Sequence, residues 1–180
     1  MLTVVVLAAG RSRRFGSDKL LHGLPGGETL LERAVRAGGA FDSVLVCSPA
    51  IAARARALHP HTIVNRHPER GMSYSLRLAN AAIAPESAIA VLPADLLLIG
   101  PHDVACVAAS IDGADVAFPV RSDGTPGHPV VFAAGARPLI EQLCDGEPIA
   151  CVRDRAGLTR RLVAIEEPWP YRDVDTPADI

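Results

Sequence analysis

Short apolar runs alternate with amphipathic segments along most of the 180-residue chain. The runs Val4–Ala8 and Ser43–Cys47 are rich in β-branched residues and end at turn-forming residues, which is typical of buried strands. Between them, Glu28–Ala37 places its leucines, an alanine and a valine on one face of a helix. This order of strand, loop, helix and strand predicts a βαβ unit.

The alternation continues, less regularly in the last third of the chain. Further strands are predicted at Thr62–Val64, Ala88–Leu92, Asp115–Pro119, Val130–Phe132 and Leu162–Ile165. Further helices are predicted at Ile51–Leu58, Ser73–Ile83, Pro101–Ile111, Ala136–Leu143 and Ile149–Arg155. Together these units predict one α/β domain over residues 1–180, a Rossmann-like three-layer sandwich with a mostly parallel sheet. Its ligand crevice is expected at the carboxyl ends of the strands.

Composition and charge narrow the function classes. Hydrophobic residues make up 49% of the chain and aromatic residues only 4%, so we expect a core mainly of Val, Leu, Ile and Ala. The formal net charge is −2 and no long basic block is present, which argues against nucleic acid or an anionic membrane as a partner. The chain lacks a signal-peptide pattern and any apolar run of roughly 20 residues, so we expect a cytoplasmic protein.

The four cysteines show no pattern typical of a metal site or a disulfide framework. Cys47, Cys106, Cys144 and Cys151 form no Cys-x-x-Cys pair, and no histidine stands nearby at zinc-ligand spacing. Thiols packed in or near the core are therefore predicted.

A loop with the composition of a phosphate site follows the first strand directly. The segment Leu7–Lys19 combines small residues, glycines and cations. Gly10 and Gly16 allow the backbone to approach a ligand, and Arg14 and Lys19 carry charges that neutralise phosphate oxygens. The spacing matches neither a Walker A loop nor the Gly-x-Gly-x-x-Gly dinucleotide motif. A solvated glycine-rich loop is the alternative that the pattern leaves open.

This segment resembles the Leu-Ala-Ala-Gly-x-Ser-x-Arg-x-Gly-x-x-Lys signature of the MobA-like nucleotidyltransferases, and within them most closely that of the molybdenum cofactor cytidylyltransferases. Phe15 departs from the methionine that is usual in the family. The resemblance implies a fold of the nucleotide-diphospho-sugar transferase type and catalytic roles for Arg14 and Lys19. It also implies nucleotide contacts from Leu7, Ala8, Ala9, Gly10, Arg14 and Lys19.

A second segment, Asn65–Asn80, resembles the part of the family that surrounds the nucleotide base. The resemblance implies that the pocket for base and ribose is lined by Asn65, Gly71, Ser73 and Ser75. An alternative role for Ser73 is to cap the N-terminus of a helix, which suits its hydroxyl group.

An acid stands at the end of a predicted buried strand. Asp95 follows the run Ala88–Leu92, where an unpaired carboxylate is costly and needs a partner. The metal-binding aspartate of the family lies at this position, so the resemblance implies that Asp95 is catalytic and binds Mg²⁺, a hard ion that prefers oxygen ligands. Leu97 stands where the family usually has proline. The alternative to a metal-binding role is that Asp95 caps a helix or a turn.

The C-terminal segment carries two alternating acids. Asp173 and Asp175 belong to a stretch that resembles the Asp-x-Asp-Thr-Pro-x-Asp close of the family. On a strand they would point the same way, so one or both are expected to meet Asp95 and complete the metal site, with Asp175 preferred. Thr176 and Pro177 suit the start of a helix without any functional role.

A histidine lies in a Gly- and Pro-rich loop. The segment Gly124–Pro129 resembles the Gly-x-x-Gly-His-Pro motif of the family. His128 is predicted to donate a hydrogen bond to the acceptor or to a phosphate, because imidazole is versatile near neutral pH. The alternative is that it only shapes the turn.

The resemblance implies a Mg²⁺-dependent enzyme that transfers CMP from CTP to the phosphate of molybdopterin and releases pyrophosphate. A recipient molybdoenzyme would then be a further partner. Ala9 stands where guanylyl-transferring relatives often have glycine, which favours CTP over GTP. The alternatives are guanylyl transfer to the same acceptor, nucleotidyl transfer to a sugar phosphate, and non-catalytic delivery of the molybdenum cofactor.

Overall fold

The computed structural model describes residues 1–10, 15, 18–39 and 41–180. These residues form one α/β domain with a seven-stranded sheet. The strands are Leu2–Ala8 (β1), Asp42–Cys47 (β2), Thr62–Val64 (β3), Ala88–Pro93 (β4), Val116–Val120 (β5), Val130–Phe132 (β6) and Arg160–Ala164 (β7). The α-helices are Leu30–Gly38 (α1), Ala52–Leu58 (α2), Gly71–Ala82 (α3), Pro101–Ala108 (α4) and Ala150–Arg153 (α5). The 3₁₀ segments are Lys19–Leu21, Pro49–Ile51, Pro68–Arg70, Ala109–Ile111, Ala134–Gln142 and Pro177–Asp179.

The sheet has the order β3-β2-β1-β4-β6-β5-β7 and is mostly parallel, which confirms the predicted fold class. Only β6 runs antiparallel, between β4 and β5. Because its direction is reversed, β6 begins at the edge of the sheet where the parallel strands end. The carboxyl ends of β1 and β4 lie side by side, with Leu7 paired to Pro93. This central position is where a ligand crevice is expected in an open α/β sheet.

The sheet is covered on both faces because successive residues of each strand point to opposite sides. Val4 and Val6 pack into a cluster with α1, α2 and α4, which we call the α1 face. Val5 and Leu7 pack with α3, α5 and the segment Ala134–Gln142, which we call the α3 face. The residues of β1 are almost completely buried, which explains their continuous apolar run.

The start of α1 is well defined by its side chains. The Thr29 hydroxyl accepts a hydrogen bond from Glu32 N–H at 3.2 Å, and the Glu32 carboxylate accepts one from Thr29 N–H at 2.8 Å. This reciprocal capping box satisfies two N–H groups that a helix leaves unpaired at its start. It orients α1 against the sheet beside the phosphate loop segment.

Two helices predicted in the last third differ from the structure. The sequence predicts an α-helix over Ala136–Leu143, but the structure has a 3₁₀ segment over Ala134–Gln142, because the proline inside it has no N–H to donate. The helix predicted at Ile149–Arg155 is shorter, Ala150–Arg153, and a turn with Gly157 at φ 87° follows it. The 3₁₀ segment packs against α3, β4 and β6, and α5 lies over Phe118 of β5.

The C-terminal segment returns to the end of β4. The Val174 N–H donates to the Asp95 carbonyl at 2.9 Å, and one isolated antiparallel bridge joins Leu96 to Asp173. The strand expected for Asp173 and Asp175 is therefore reduced to this bridge, because the threonine and proline that follow begin a short 3₁₀ turn. The segment nevertheless brings its acids to the carboxyl end of β4.

The cysteines differ in burial. Cys47 is fully buried at the end of β2, as predicted, and burial raises the pKa of its thiol. Cys106, Cys144 and Cys151 are exposed, so the prediction of core thiols is wrong for these three. They stand on α4, on α5 and in the loop before α5, which are short surface elements.

Within the described residues, no helix combines the length and the apolar character needed to span a bilayer.

Candidate functional site

A cavity of about 250 Å³ opens at the carboxyl ends of β1 and β4, on the α3 face. The predicted site residues that line it are Leu7, Ala9, Gly10, Lys19, Gly71, Ser75 and Asp95. Sequence reasoning did not single out four further lining residues, Leu20, Pro68, Met72 and Pro93. Met72 lies in the first turn of α3 and is 44% exposed. This exposure distinguishes it from a methionine that is packed in the core.

Three predicted nucleotide contacts do not line the cavity. The Ala8 side chain lies in the core on the α1 face, because it alternates with Leu7 along β1. The buried Asn65 side chain donates to the Ser75 hydroxyl at 2.9 Å, and the Ser73 hydroxyl accepts from the Gly146 N–H at 3.0 Å. These two polar groups hold the cavity wall, and their direct contact with a nucleotide stays a prediction. Arg14 lies outside the described residues.

The turn into α3 requires a glycine. Gly71 has φ 84°, in the left-handed region, and an added Cβ would lie 3.0 Å from the Gly146 Cα. The loop around Gly146 is tied to α3, since Asp145 accepts hydrogen bonds from Arg70 at 2.6 Å and from Arg77 at 2.5 Å. The guanidinium of Arg70 also stacks 3.8 Å above the Tyr74 ring. These contacts position the wall that Gly71 and Ser75 contribute to the cavity.

One ammonium group lies between two carboxylates at the mouth of the cavity. Lys19 Nζ donates to Asp95 Oδ2 at 2.8 Å and to the Val174 carbonyl at 2.5 Å, and lies 3.8 Å from Asp175 Oδ1. The Lys19 side chain is only 10% exposed, whereas Asp95 and Asp175 are 28% and 39% exposed. Both carboxylates therefore lie next to a cation that is largely buried.

Asp175 reaches this cluster from the C-terminal segment, not from the end of a strand beside β4 as expected. Asp173 is exposed, on the segment that bridges back to Leu96. Because Lys19 contacts both Asp95 and Asp175, their oxygens lie within the about 8 Å that carboxylates sharing one small ion tolerate. Their role as metal ligands stays a prediction.

The carboxylates of Asp95 and Asp175 suit a hard divalent ion that takes its remaining ligands from other molecules. Among the described side chains, no group of three or more His, Cys, Asp or Glu residues is placed to hold a metal. Mg²⁺ commonly binds one or two carboxylates and takes its remaining ligands from water and substrate phosphates. The ion pair between the buried Lys19 ammonium and Asp95 shows that this site stabilises a positive charge.

His128 lies at the start of β6, at the same edge of the sheet. Burial lowers the pKa of its imidazole to about 4, although the Val91 backbone and the charge of Asp95 act in the opposite direction. Its Nδ1 is buried and has no hydrogen-bond partner among the described residues. The imidazole is therefore neutral near pH 7, and its Nδ1 is enclosed by the protein.

The glycine before His128 is explained by close packing. An added Cβ at Gly127 would lie 2.6 Å from the Tyr171 ring and 2.7 Å from Pro170 Cβ. The His128 N–H donates to the Pro170 carbonyl at 3.0 Å. The loop before β6 and the C-terminal segment thus fix each other, and both flank the cavity.

Comparison with known proteins identifies the relatives of this site. A model of the MobA-like NTP transferase domain matches residues 4–163. The structure of Rv0371c from Mycobacterium tuberculosis H37Rv is 27% identical, with a TM-score of 0.83 over 99% of this chain and 95% of that one. Its manganese complex is matched at 24% identity with a TM-score of 0.77, over 99% and 95% of the two chains.

A more distant match has the same fold. Molybdopterin-guanine dinucleotide biosynthesis protein A from Archaeoglobus fulgidus is 20% identical, with a TM-score of 0.76 over 98% of this chain and 94% of that one. At this identity the likeness concerns the fold. No curated protein matches the chain.

Proposed function

The chain belongs to the MobA-like NTP transferase family, and from this membership we propose that it transfers CMP from CTP to the phosphate of molybdopterin. The observation that carries the proposal is the cavity at the ends of β1 and β4, where Lys19, Asp95 and Asp175 form one charged cluster. Such a cluster suits a magnesium-bound triphosphate, which needs both cationic and carboxylate groups around it.

In the proposed reaction, an oxygen of the acceptor phosphate forms a bond to the α-phosphorus of CTP. The bond from that phosphorus to the bridging oxygen of pyrophosphate breaks, and the electron pair leaves with pyrophosphate. A phosphate acceptor is already ionised near neutral pH, so no side-chain nucleophile is required. The chain contributes mainly by positioning its substrates and neutralising their charge.

Lys19 and Arg14 are the proposed cations for the triphosphate and for the departing pyrophosphate. Lys19 Nζ lies at the cavity between Asp95 and Asp175, so a bound triphosphate would offer it a further anionic partner. Arg14 is assigned this role by its position in the sequence signature alone.

Asp95 and Asp175 are the proposed ligands of Mg²⁺. When bound, the ion would supply positive charge that offsets the charge of the phosphate oxygens. The manganese in the Rv0371c complex supports a divalent ion in a related protein of the same fold. Both carboxylates lie next to the Lys19 ammonium, so the positive charge of an ion held by them would add to that of Lys19 around the triphosphate.

The preference for CTP rests on the wall of the cavity. Ala9 lines it and is 8% exposed, so its methyl group takes up space that a glycine would leave to a larger base. A purine would crowd this wall, and polar groups that fail to pair with the wrong base would add to the discrimination. His128, in the loop before β6, is the proposed contact for the acceptor phosphate on the basis of its place in the Gly-x-x-Gly-His-Pro motif.

One assay tests the proposal. The protein is incubated with Mg²⁺, molybdopterin and either CTP or GTP, and released pyrophosphate is measured. We expect release with CTP, and much less with GTP. Greater release with GTP would replace the nucleotide assignment and leave the transferase activity intact. Binding of molybdopterin without release from either nucleotide would instead favour a delivery role.

A further inference from the structure

A second cavity, of about 700 Å³, lies on the α3 face over β5 and β7. Phe118 of β5 and Arg160 and Leu162 of β7 form its floor, and Arg153 and Asp154 close it from the end of α5. Sequence reasoning assigned no role to these residues. The cavity is larger than the one at β1 and β4 and is separate from it.

The charged groups of this cavity leave a surplus of positive charge. Arg153 forms two hydrogen bonds with the Asp154 carboxylate, at 2.8 and 2.6 Å. Arg160 lies 3.9 Å from the same carboxylate, beyond hydrogen-bond distance, and its side chain is 45% exposed. Two guanidinium groups thus share one carboxylate, and the donors of Arg160 remain available to an anion.

The same cavity offers an apolar surface. The Leu162 side chain points into the cavity from β7 and is 55% exposed there. Phe118 lies beneath the Arg153 guanidinium, 4.9 Å from its ring centre. Leaving a large apolar side chain in water forgoes the free energy that its burial would supply. An occupant with an apolar part would recover it.

The two cavities are neighbours across the start of β6. Both lie on the α3 face, and β6 separates β4 from β5 in the sheet. His128, just before β6, feels the charges of both Asp95 and Arg153. Val120 and Pro126, which form an isolated bridge, place one end of the second cavity at the carboxyl edge of the sheet, where the first cavity also opens.

We infer that this second cavity holds the body of the phosphorylated acceptor, with its phosphate directed along the carboxyl edge of the sheet towards the nucleotide. The acceptor class is a phosphate monoester whose organic body combines an apolar surface with an anionic or hydrogen-bond-accepting group near Arg160. The inference rests on the proposed function, because it takes the first cavity as the nucleotide site. It assigns Arg160 and Leu162 to acceptor recognition.

The strand β7 offers a matched pair of variants. Arg160 faces the cavity, whereas Arg161 points to the opposite face of the sheet, since successive residues alternate. Arg160→Glu should raise the KM for molybdopterin by about tenfold or more, the effect of losing a charge-assisted contact and adding repulsion. The KM for CTP should stay unchanged. Arg161→Glu introduces the same charge change on the same strand and should behave as the unmodified protein.

Equilibrium binding of molybdopterin to the same three proteins separates this inference from the proposed function. Binding that is weakened only by Arg160→Glu, without pyrophosphate release from the unmodified protein, would support the cavity assignment and refute the transfer. Normal transfer with an equal acceptor KM in both variants would overturn the cavity assignment and leave the transfer standing. A lack of molybdopterin binding to the unmodified protein would overturn both. Unchanged CTP binding in each variant verifies the fold.

Discussion

The two cavities on the α3 face have opposite arrangements of charge. At the ends of β1 and β4, the described side chains place one ammonium, that of Lys19, between two carboxylates. Over β5 and β7, one carboxylate, that of Asp154, is shared by two guanidinium groups. The first arrangement has room for an additional cation and the second for an additional anion. Under the proposed function, this difference in charge would keep a metal-bound triphosphate and an anionic acceptor in separate sites.

The strongest way to break this comparison is to remove a carboxylate from the first cavity. Asp95→Asn should lower turnover by about two powers of ten or more, because it removes a proposed metal ligand that no neighbouring group replaces. Binding of CTP, measured by calorimetry, should change much less, since its other contacts are retained. Asp175→Asn should have the same effect, less severely if Asp173 substitutes.

The exposed Asp112, in the turn after α4, provides a control for the Asp95 variant. Asp112→Asn makes the same chemical change away from both cavities and should leave turnover near that of the unmodified protein. Near-normal pyrophosphate release by Asp95→Asn would remove this residue from the mechanism.

Replacing the shared cation should separate its two roles. Lys19→Met should lower turnover by about one to two powers of ten, through loss of a charge-assisted phosphate contact. Without nucleotide, however, the same variant should bind Mn²⁺ more tightly, because the ammonium no longer occupies the space between Asp95 and Asp175. Titration of Mn²⁺ followed by electron paramagnetic resonance measures this affinity. Weaker Mn²⁺ binding by the variant would show that Lys19 does not compete with the ion.

The wall between the first cavity and the Gly146 loop can be tested through stability. Gly71→Ala should destabilise the protein by about 1–3 kcal/mol, because alanine at positive φ is strained and its Cβ meets Gly146. Gly113→Ala is the matched control, since Gly113 has φ 73° but nothing within 4 Å of an added Cβ. Urea denaturation of both variants should show the larger loss for Gly71→Ala. Equal losses would mean that the close contact contributes nothing beyond backbone strain.

The smallest effect concerns pH and the histidine between the cavities. Burial lowers the pKa of His128 from 6.5 to about 4, so in this interval the unfolded chain takes up a proton that the folded protein does not. The free energy of unfolding should therefore fall as the pH drops from 6.5 towards 4, by about 1.4 kcal/mol per pH unit from this group and less near the ends of the interval. Urea denaturation at several pH values measures it. A pH dependence that is identical in His128→Asn would exclude His128 as its source.

The first half of the fold was predictable because its signals are local. The buried strand β1 is followed by a loop of small residues, and the buried strand β4 is followed by Asp95. The positions of this loop and of Asp95 could therefore be predicted from the order of the elements along the chain. The strand β3 and the strand β6 also have the predicted bounds. Periodicity and turn residues are sufficient where each element packs onto its neighbour in sequence.

The second cavity was not predictable because its residues converge from separate elements. Arg153 ends a four-residue helix, and Arg160 and Leu162 follow on a strand that pairs with β5. Neither their spacing nor their residue types indicate a common site. The exposure of Leu162 and the orientation of Asp154 between two arginines depend on tertiary structure, which local patterns do not encode.

The return of the C-terminal segment to β4 has a consequence for synthesis of the protein. Lys19 and its carbonyl partner Val174 are 155 positions apart, so the charged cluster closes only after almost the whole domain has left the ribosome. A nascent chain can form β1, β2 and β4 earlier, but it lacks Asp175 at that stage. If Asp95 and Asp175 bind the metal ion as proposed, a nascent chain would lack one of the two ligands until residue 175 has been synthesised.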